Sequence, residues 1–293
     1  MKARGSFHDD DLLDPGINAY EMMKPTISKI LNSAPLLGDD PSHAKRILSA
    51  ALTRQEYGAA PWLTDRRFLF QDSDSRWRCP SECALMALRR LTIEIADFYK
   101  YMLVRQWRDV FPQLVPNRSM LGFAVEYAVT IELSRLGVVF PRAQNRALRM
   151  PENLPLHPLL NVGPVRDLQQ GLWVPVQYNY PFINCVAVWH DPTVTHICAI
   201  QITIANDHSD SREGFFQDEW KKWRDAVGSN KSIEWSFAWI YGEFGRPQHK
   251  QYKRPRNRQD DAPPTHIAYK MAIEYVSPAV RAALEQALDR GRG

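Results

Sequence analysis

The stretch Phe182–Ala205, FINCVAVWHDPTVTHICAIQITIA, holds two apolar runs joined by Asp191-Pro192-Thr193-Val194. The tetrapeptide has the chemistry of a type I turn, with Asp at its first position and Pro at its second. The flanking runs, Phe182–His190 and His196–Ala205, therefore read as the strands of a β-hairpin. With Pro192-Thr193 at the turn centre, Asn184 lies across from Gln201 and Phe182 across from Thr203. Side chains alternate along a strand, so these four share one face. The opposite face carries Ile183, Cys185, Ala187, Ile200 and Ile202, a plausible core.

Upstream, Ser119–Leu136 has helical periodicity and Gly137 stops it. Pro141–Gln170 is rich in Pro, Arg and Asn and reads as irregular chain or short strands. Trp173–Tyr178 reads as a strand. Downstream come a helix at Ser211–Val227, strands at Ile233–Tyr241 and Ala268–Val276, and a helix at Pro278–Arg290. Strands mixed with helices in this order imply an α/β layer fold over residues 116–293. Residues 1–115 read as a mostly helical region. Pro25 stands near the start of a helical stretch over 25–60. Pro80 precedes a long pattern over Ser81–Arg108, which Pro112 and Pro116 end.

The chain has 293 residues, enough for one large domain or two small ones. Apolar residues make up 44% and charged residues 24%, ordinary for a globular protein. No run is long and apolar enough to suggest a membrane span. The beginning, MKARGSFHDDDLLD, lacks the apolar stretch of a secretory signal, which points to an intracellular chain, cytoplasmic or nuclear. Four cysteines make no disulfide framework. Cys79 and Cys83 have no second ligand pair of matching spacing, which argues against zinc. There is no phosphate loop of the GxxxxGK type. The net charge of +4 permits nucleic-acid binding without arguing for it. Lys250, Lys253, Arg254, Arg256 and Arg258 cluster in one run. That run reads either as a solvated loop or as a phosphate-binding or nuclear-import segment.

Glu126 falls on the same helical side as Gly122, Val129, Leu133 and Leu136. A carboxylate on an apolar stripe needs a partner, either an arginine or a metal in a polar cleft. In the helix after the hairpin, Phe216, Trp220, Trp223 and Val227 form the buried stripe. Lys222 lies at its edge, and Lys221 points away. Trp235, Phe237 and Trp239 alternate on the next strand and suit packing against that helix.

A carboxylate helix, a hairpin with polar positions and a following helix resemble the core of the PD-(D/E)xK nuclease superfamily. Such a core is a restriction-endonuclease-like mixed sheet flanked by helices. Gly122-Phe-Ala-Val-Glu126 is similar to the G-x-x-x-E helix of Crinkler and retrotransposon-hot-spot type proteins. Tyr178-Asn-Tyr-Pro181, Gln201-Ile-Thr203 and His208 follow in the order found there. The resemblance covers roughly half the chain, and each motif is short. It implies a metal site of Glu126 and Gln201 holding Mg2+ or Mn2+, with Asn184 at the second-strand position. Thr203 stands where a lysine belongs, Lys222 is a substitute for that lysine, and His208 is a base or phosphate contact. The implied activity is phosphodiester hydrolysis on DNA or RNA. The departures, Asn184 for Asp and Thr203 for Lys, imply equally an inactive nuclease fold kept as a nucleic-acid or protein binding module. Asp191 and Asp207 border the hairpin as substitute acids.

Overall fold

The computed structural model describes residues 20–21, 24–25, 70–74, 77–79, 81–94, 107–116, 118–144, 146–159, 168–176, 180–204, 211–227, 232–242 and 262–290. The chain divides into two compact units, Met1–Phe98 and Tyr99–Gly293. The division falls ahead of residue 115, where the sequence placed it.

In the first unit, β1 (Phe70–Gln71) and β2 (Trp77–Arg78) pair antiparallel. Helix α1 (Glu82–Glu94) follows. The Ser81 hydroxyl accepts the Ala84 N–H at 3.1 Å, an N-cap that satisfies one of the helix's orphan donors. Ala84, Leu88 and Leu91 are buried along one stripe of α1. The helix read over Ser81–Arg108 is thus described over Glu82–Glu94, and residues 95–106 lie outside the described residues, as does most of the 25–60 stretch.

The second unit opens with α2 (Trp107–Leu114), which contains Pro112 instead of ending there. Trp107, Phe111 and Leu114 lie one turn apart on one side and are all buried. Their burial outweighs the hydrogen bond that proline forfeits. Helix α3 (Arg118–Leu136) ends at Gly137, whose φ of 59° is the left-handed cap expected of it. Leu136, assigned by periodicity to the apolar stripe, is 46% exposed because the helix stops there. The Pro-rich region after it holds three strands: β3 (Val138–Ala143), β4 (Arg146–Met150) and β5 (Leu156–Leu159). β3 and β4 form an antiparallel ribbon with an irregularity between Phe140 and Ala143.

The remaining strands are β6 (Gly171–Pro175), β7 (Cys185–His190), β8 (Val194–Thr203), β9 (Ser232–Tyr241) and β10 (His266–Ala272). Together with β5 they form one mixed sheet in the order β10-β9-β8-β7-β6-β5. β7 runs antiparallel to both β6 and β8, whereas β5 is parallel to β6, β9 to β8 and β10 to β9. The parallel step from β8 to β9 is made through α4, built from Ser211–Gly214, a π turn at Phe215–Glu219, and Trp220–Val227. A π turn holds one residue more than an α turn. Both adjacent phenylalanines, Phe215 and Phe216, are buried there and meet edge to face at 5.1 Å.

Below α4, Trp220, Trp223, Trp235, Phe237 and Trp239 form the main core, as the sequence periodicities predicted. Trp220 and Trp235 meet edge to face at 5.9 Å. The strand read over Ala268–Val276 ends at Ala272, and Ile273–Val276 forms a short helix, α5. Ser277 then caps α6 (Pro278–Arg290) by accepting the Val280 N–H at 3.2 Å. No helix among the described residues is long and apolar enough to cross a membrane.

Candidate functional site

The hairpin has the register that the turn dictates: Cys185 pairs with Ile200 and His190 with Thr195, and the Asp191 N–H donates to Val194 O at 2.9 Å. Asn184 precedes the first ladder pair. Its N–H donates to Ile200 O at 2.9 Å, and its Oδ1 accepts the Ile202 N–H at 2.5 Å. The side chain thus stands in for a backbone carbonyl at the end of the ladder. Phe182 does not continue the strand opposite Thr203. Its φ of 73° turns the chain away, and its ring lies against Gly214, where an added Cβ would come within 2.2 Å of it. The shared face of four residues read from the sequence is therefore missing Phe182.

Gln201 is 6% exposed and pairs across with Trp239, so it projects toward α4. Its Nε2 is 3.4 Å from Ile202 O. Thr203 is buried at the last ladder pair, and its carbonyl accepts the Gly242 N–H at 3.0 Å. Asn184→Ala is expected to cost about 1–2 kcal/mol, because it leaves the Ile202 donor without an acceptor in a half-buried place. Urea unfolding should show a lower midpoint with an unchanged slope.

Glu126 is half-buried on α3. Its helix covers the sheet face that bears Cys185: Thr130 hydrogen-bonds that thiol, and the Glu126 charge acts on it. A Cβ added at Gly122, one turn earlier, would lie 4.0 Å from the Ile204 side chain, just past the end of β8. Helix and hairpin thus meet at the expected end of the strands. The carboxylate, however, approaches from the Cys185 face and Gln201 projects from the opposite one. The reason is the pleat: Gln201 follows Ile200, which shares the Cys185 side. The fully buried carboxylate of α3 is Glu132, which periodicity did not single out; it pairs with Arg135 at 2.9 Å.

Lys222 is 22% exposed and forms an ion pair with Glu219. It also donates to the Tyr180 hydroxyl, which itself donates to Glu219 Oε2 at 2.5 Å. Burial, the hydrogen bond to Glu219 and the Glu219 charge all raise the Tyr180 pKa above its ordinary value. Among the described residues no hydrogen bond or ion pair joins Lys222 to Gln201, and the lysine is held in the Tyr180–Glu219 link. Only Tyr180 and Pro181 of the Tyr178–Pro181 motif are described. His208, Asp207 and the run Lys250, Lys253, Arg254, Arg256 and Arg258 lie outside the described residues.

A hard divalent cation such as Mg2+ or Mn2+ needs several oxygen donors converging on one point. Asn184 Oδ1 is spent on a backbone N–H, and Gln201 and Glu126 reach the sheet from opposite faces. Among the described residues no group of three or more His, Cys, Asp or Glu is placed to hold a metal ion. The described residues by themselves do not fit the cation that the resemblance implies.

Beneath α3, burial pushes the Cys198 thiol up to about 12, and Cys185 further, with a smaller addition from the neighbouring Cys198. Both are fully buried free thiols, as expected of cysteines outside any disulfide framework. A raised folded pKa means stability present below the unfolded value of 9.0 and lost as pH rises from there toward the folded values. The unfolding free energy is expected to fall by roughly 1–2 kcal/mol per pH unit above pH 9, from two thiols at up to about 1.4 kcal/mol per unit each. Urea titrations at pH 8, 9 and 10 measure this, and Cys185→Ala with Cys198→Ala should flatten the profile.

The sequence reading also passed over the turn end of the hairpin. There His196 Nε2 lies 2.8 Å from Asp191 Oδ2, and the ring stacks on Trp189 at 4.9 Å. The available signal was a histidine on the same strand face as Cys198 and Ile200. No family model, no curated protein and no solved structure matches this chain.

Proposed function

We propose that residues 118–290 form a nuclease-type core of the PD-(D/E)xK kind that no longer cuts phosphodiesters and serves as a nucleic-acid binding module. Supporting the first half is the order of elements: helix α3, antiparallel β6, β7 and β8, helix α4, then β9 parallel to β8. The observation that carries the second half is Asn184. At the position where the resemblance calls for a metal-binding acid, an amide oxygen closes the strand ladder instead. The sequence pI of about 8.8 suits a polyanionic partner.

The test is a titration of the full chain with Mg2+ and Mn2+ on plasmid DNA and RNA, beside gel shifts over a range of salt. Both substrates should stay intact, and binding should weaken as salt rises. Metal-dependent cutting that disappears in Glu126→Gln would overturn the inactive reading. Failure to shift any nucleic acid at low salt would overturn the binding role.

A further inference from the structure

The ribbon β3–β4 crosses the sheet beside β10, with the Phe140 and Tyr269 rings 5.8 Å apart. Its register pairs buried Phe140 with buried Leu148, and exposed Val139 with exposed Arg149. One side of the ribbon is thus anchored and the other is solvated. The exposed positions include Arg142, Arg146 and Arg149. Among the described residues, Arg142 and Arg149 have no carboxylate partner. Arg146 reaches Glu234 only at 3.4 Å, with both side chains more than half exposed. An exposed pair of this kind is worth little and is easily exchanged for another anion.

Between β4 and the sheet lies a cavity of about 310 Å³, bounded by Arg146, Arg149, Trp189, His196, Glu234 and Tyr269. That is the lower end of the roughly 300–1,000 Å³ range of small-molecule sites, room for a single one- or two-ring system. Its wall combines three chemistries. The Trp189 and His196 rings are stacked, 8° from parallel. The carboxylates Asp191 and Glu234 are acceptors for N–H groups. His196 Nδ1 is buried and makes no hydrogen bond, although it stands 3.5 Å from Glu234 Oε2. Arg146 and Arg149 sit on β4, the strand that forms the wall, and Arg142 sits on the paired strand β3. A flat ring bearing N–H groups and joined to negative charge satisfies all of these together. An isolated anion would be repelled by the carboxylates, and an apolar ligand would strand them.

From this geometry we infer that the cavity takes one unstacked base of a single-stranded nucleic acid, while Arg142, Arg146 and Arg149 hold the adjoining phosphates. The inference rests on the binding role proposed above and relocates it. The site lies at the turn end of β7–β8. From His196 to Gln201 along β8 is about 16 Å, so it is separate from the eroded nuclease end. A base inside a duplex cannot enter such a cavity, so single strands are preferred to duplexes. Arginine contacts to phosphate set the salt dependence, and seating of the base sets the preference for single strands.

The experiment is fluorescence anisotropy of the full chain with a labelled mixed-sequence single-stranded 20-mer and its duplex, over a range of salt. Arg146→Glu with Arg149→Glu should weaken binding at least tenfold and reduce the salt slope by about 2. Ile267→Trp enlarges a half-buried wall side chain on the sheet face that bears Tyr269 and Ser236, fills the cavity and leaves every charge in place. It should remove the preference for single strands while keeping the salt slope. Thermal midpoints near that of the parent protein check that both variants fold. Parent protein that binds single strands, with both variants unchanged or with duplex bound equally well, overturns this inference and leaves the binding role standing. Parent protein that binds neither form overturns both.

Discussion

Trp223→Ala is expected to lower the unfolding free energy of the second unit by about 3–5 kcal/mol, the range for removing a large aromatic from a packed core. Trp223 is fully buried on α4 and meets Trp173 edge to face at 6.1 Å. It stands in the cluster that joins α4 to β8 and β9, so the cavity opens where the parallel crossover is held down. Domains of this size have only about 5–15 kcal/mol in hand, so the loss is a large share of the total. Urea unfolding followed by tryptophan emission measures it. The indole N–H has no hydrogen-bond partner among the described residues. Trp223→Phe therefore gives up packing alone and should cost clearly less than alanine. Equal losses for the two variants would mean that this side chain does not act through packing.

Gly137→Ala is expected to cost about 2–5 kcal/mol, from two separate sources. A residue with a Cβ at φ of 59° is disfavoured by roughly 1–2 kcal/mol. The new methyl would also stand 2.5 Å from Met150 O. That oxygen belongs to the backbone of the neighbouring strand, so relief requires moving the ribbon, at about 1–3 kcal/mol. Gly137→Asn separates the two, because asparagine tolerates the left-handed region but carries the same Cβ. A variant that recovers full stability as asparagine would show that only backbone conformation matters. The expected result is partial recovery, read as an intermediate thermal midpoint.

The layer fold was legible because its decisive signals are local. Asp191-Pro192-Thr193-Val194 specifies a turn, and the turn alone sets the pairing of Cys185 with Ile200. Phe216, Trp220 and Trp223 are spaced for one face of a helix, and Trp235, Phe237 and Trp239 for one face of a strand. Where the reading failed, a non-local contact decided. Phe182 leaves the ladder because its ring finds Gly214, far along the chain. Pro112 stays inside a helix because Phe111 and Trp107 are buried against the rest of the unit. The site was less legible still. Periodicity placed Glu126 on the apolar side of its helix but could not tell which face of the sheet that side meets. Lys222 was identifiable as a lysine at the edge of a buried stripe. Its partner Tyr180 lies 42 positions away, and no spacing rule connects the two. The arginine ribbon and the histidine beside it come together only through the crossing of β4 over the sheet.

In the main sheet, spatial order from β5 to β10 is also the order in which the strands leave the ribosome. Each newcomer therefore joins an open edge, and none must be inserted between two that are already bonded. The β7–β8 ribbon closes on its own short turn, on the microsecond scale of hairpins. Assembly outward from it postpones the costly loop closures, those of the parallel crossovers, until a template stands ready to reward them.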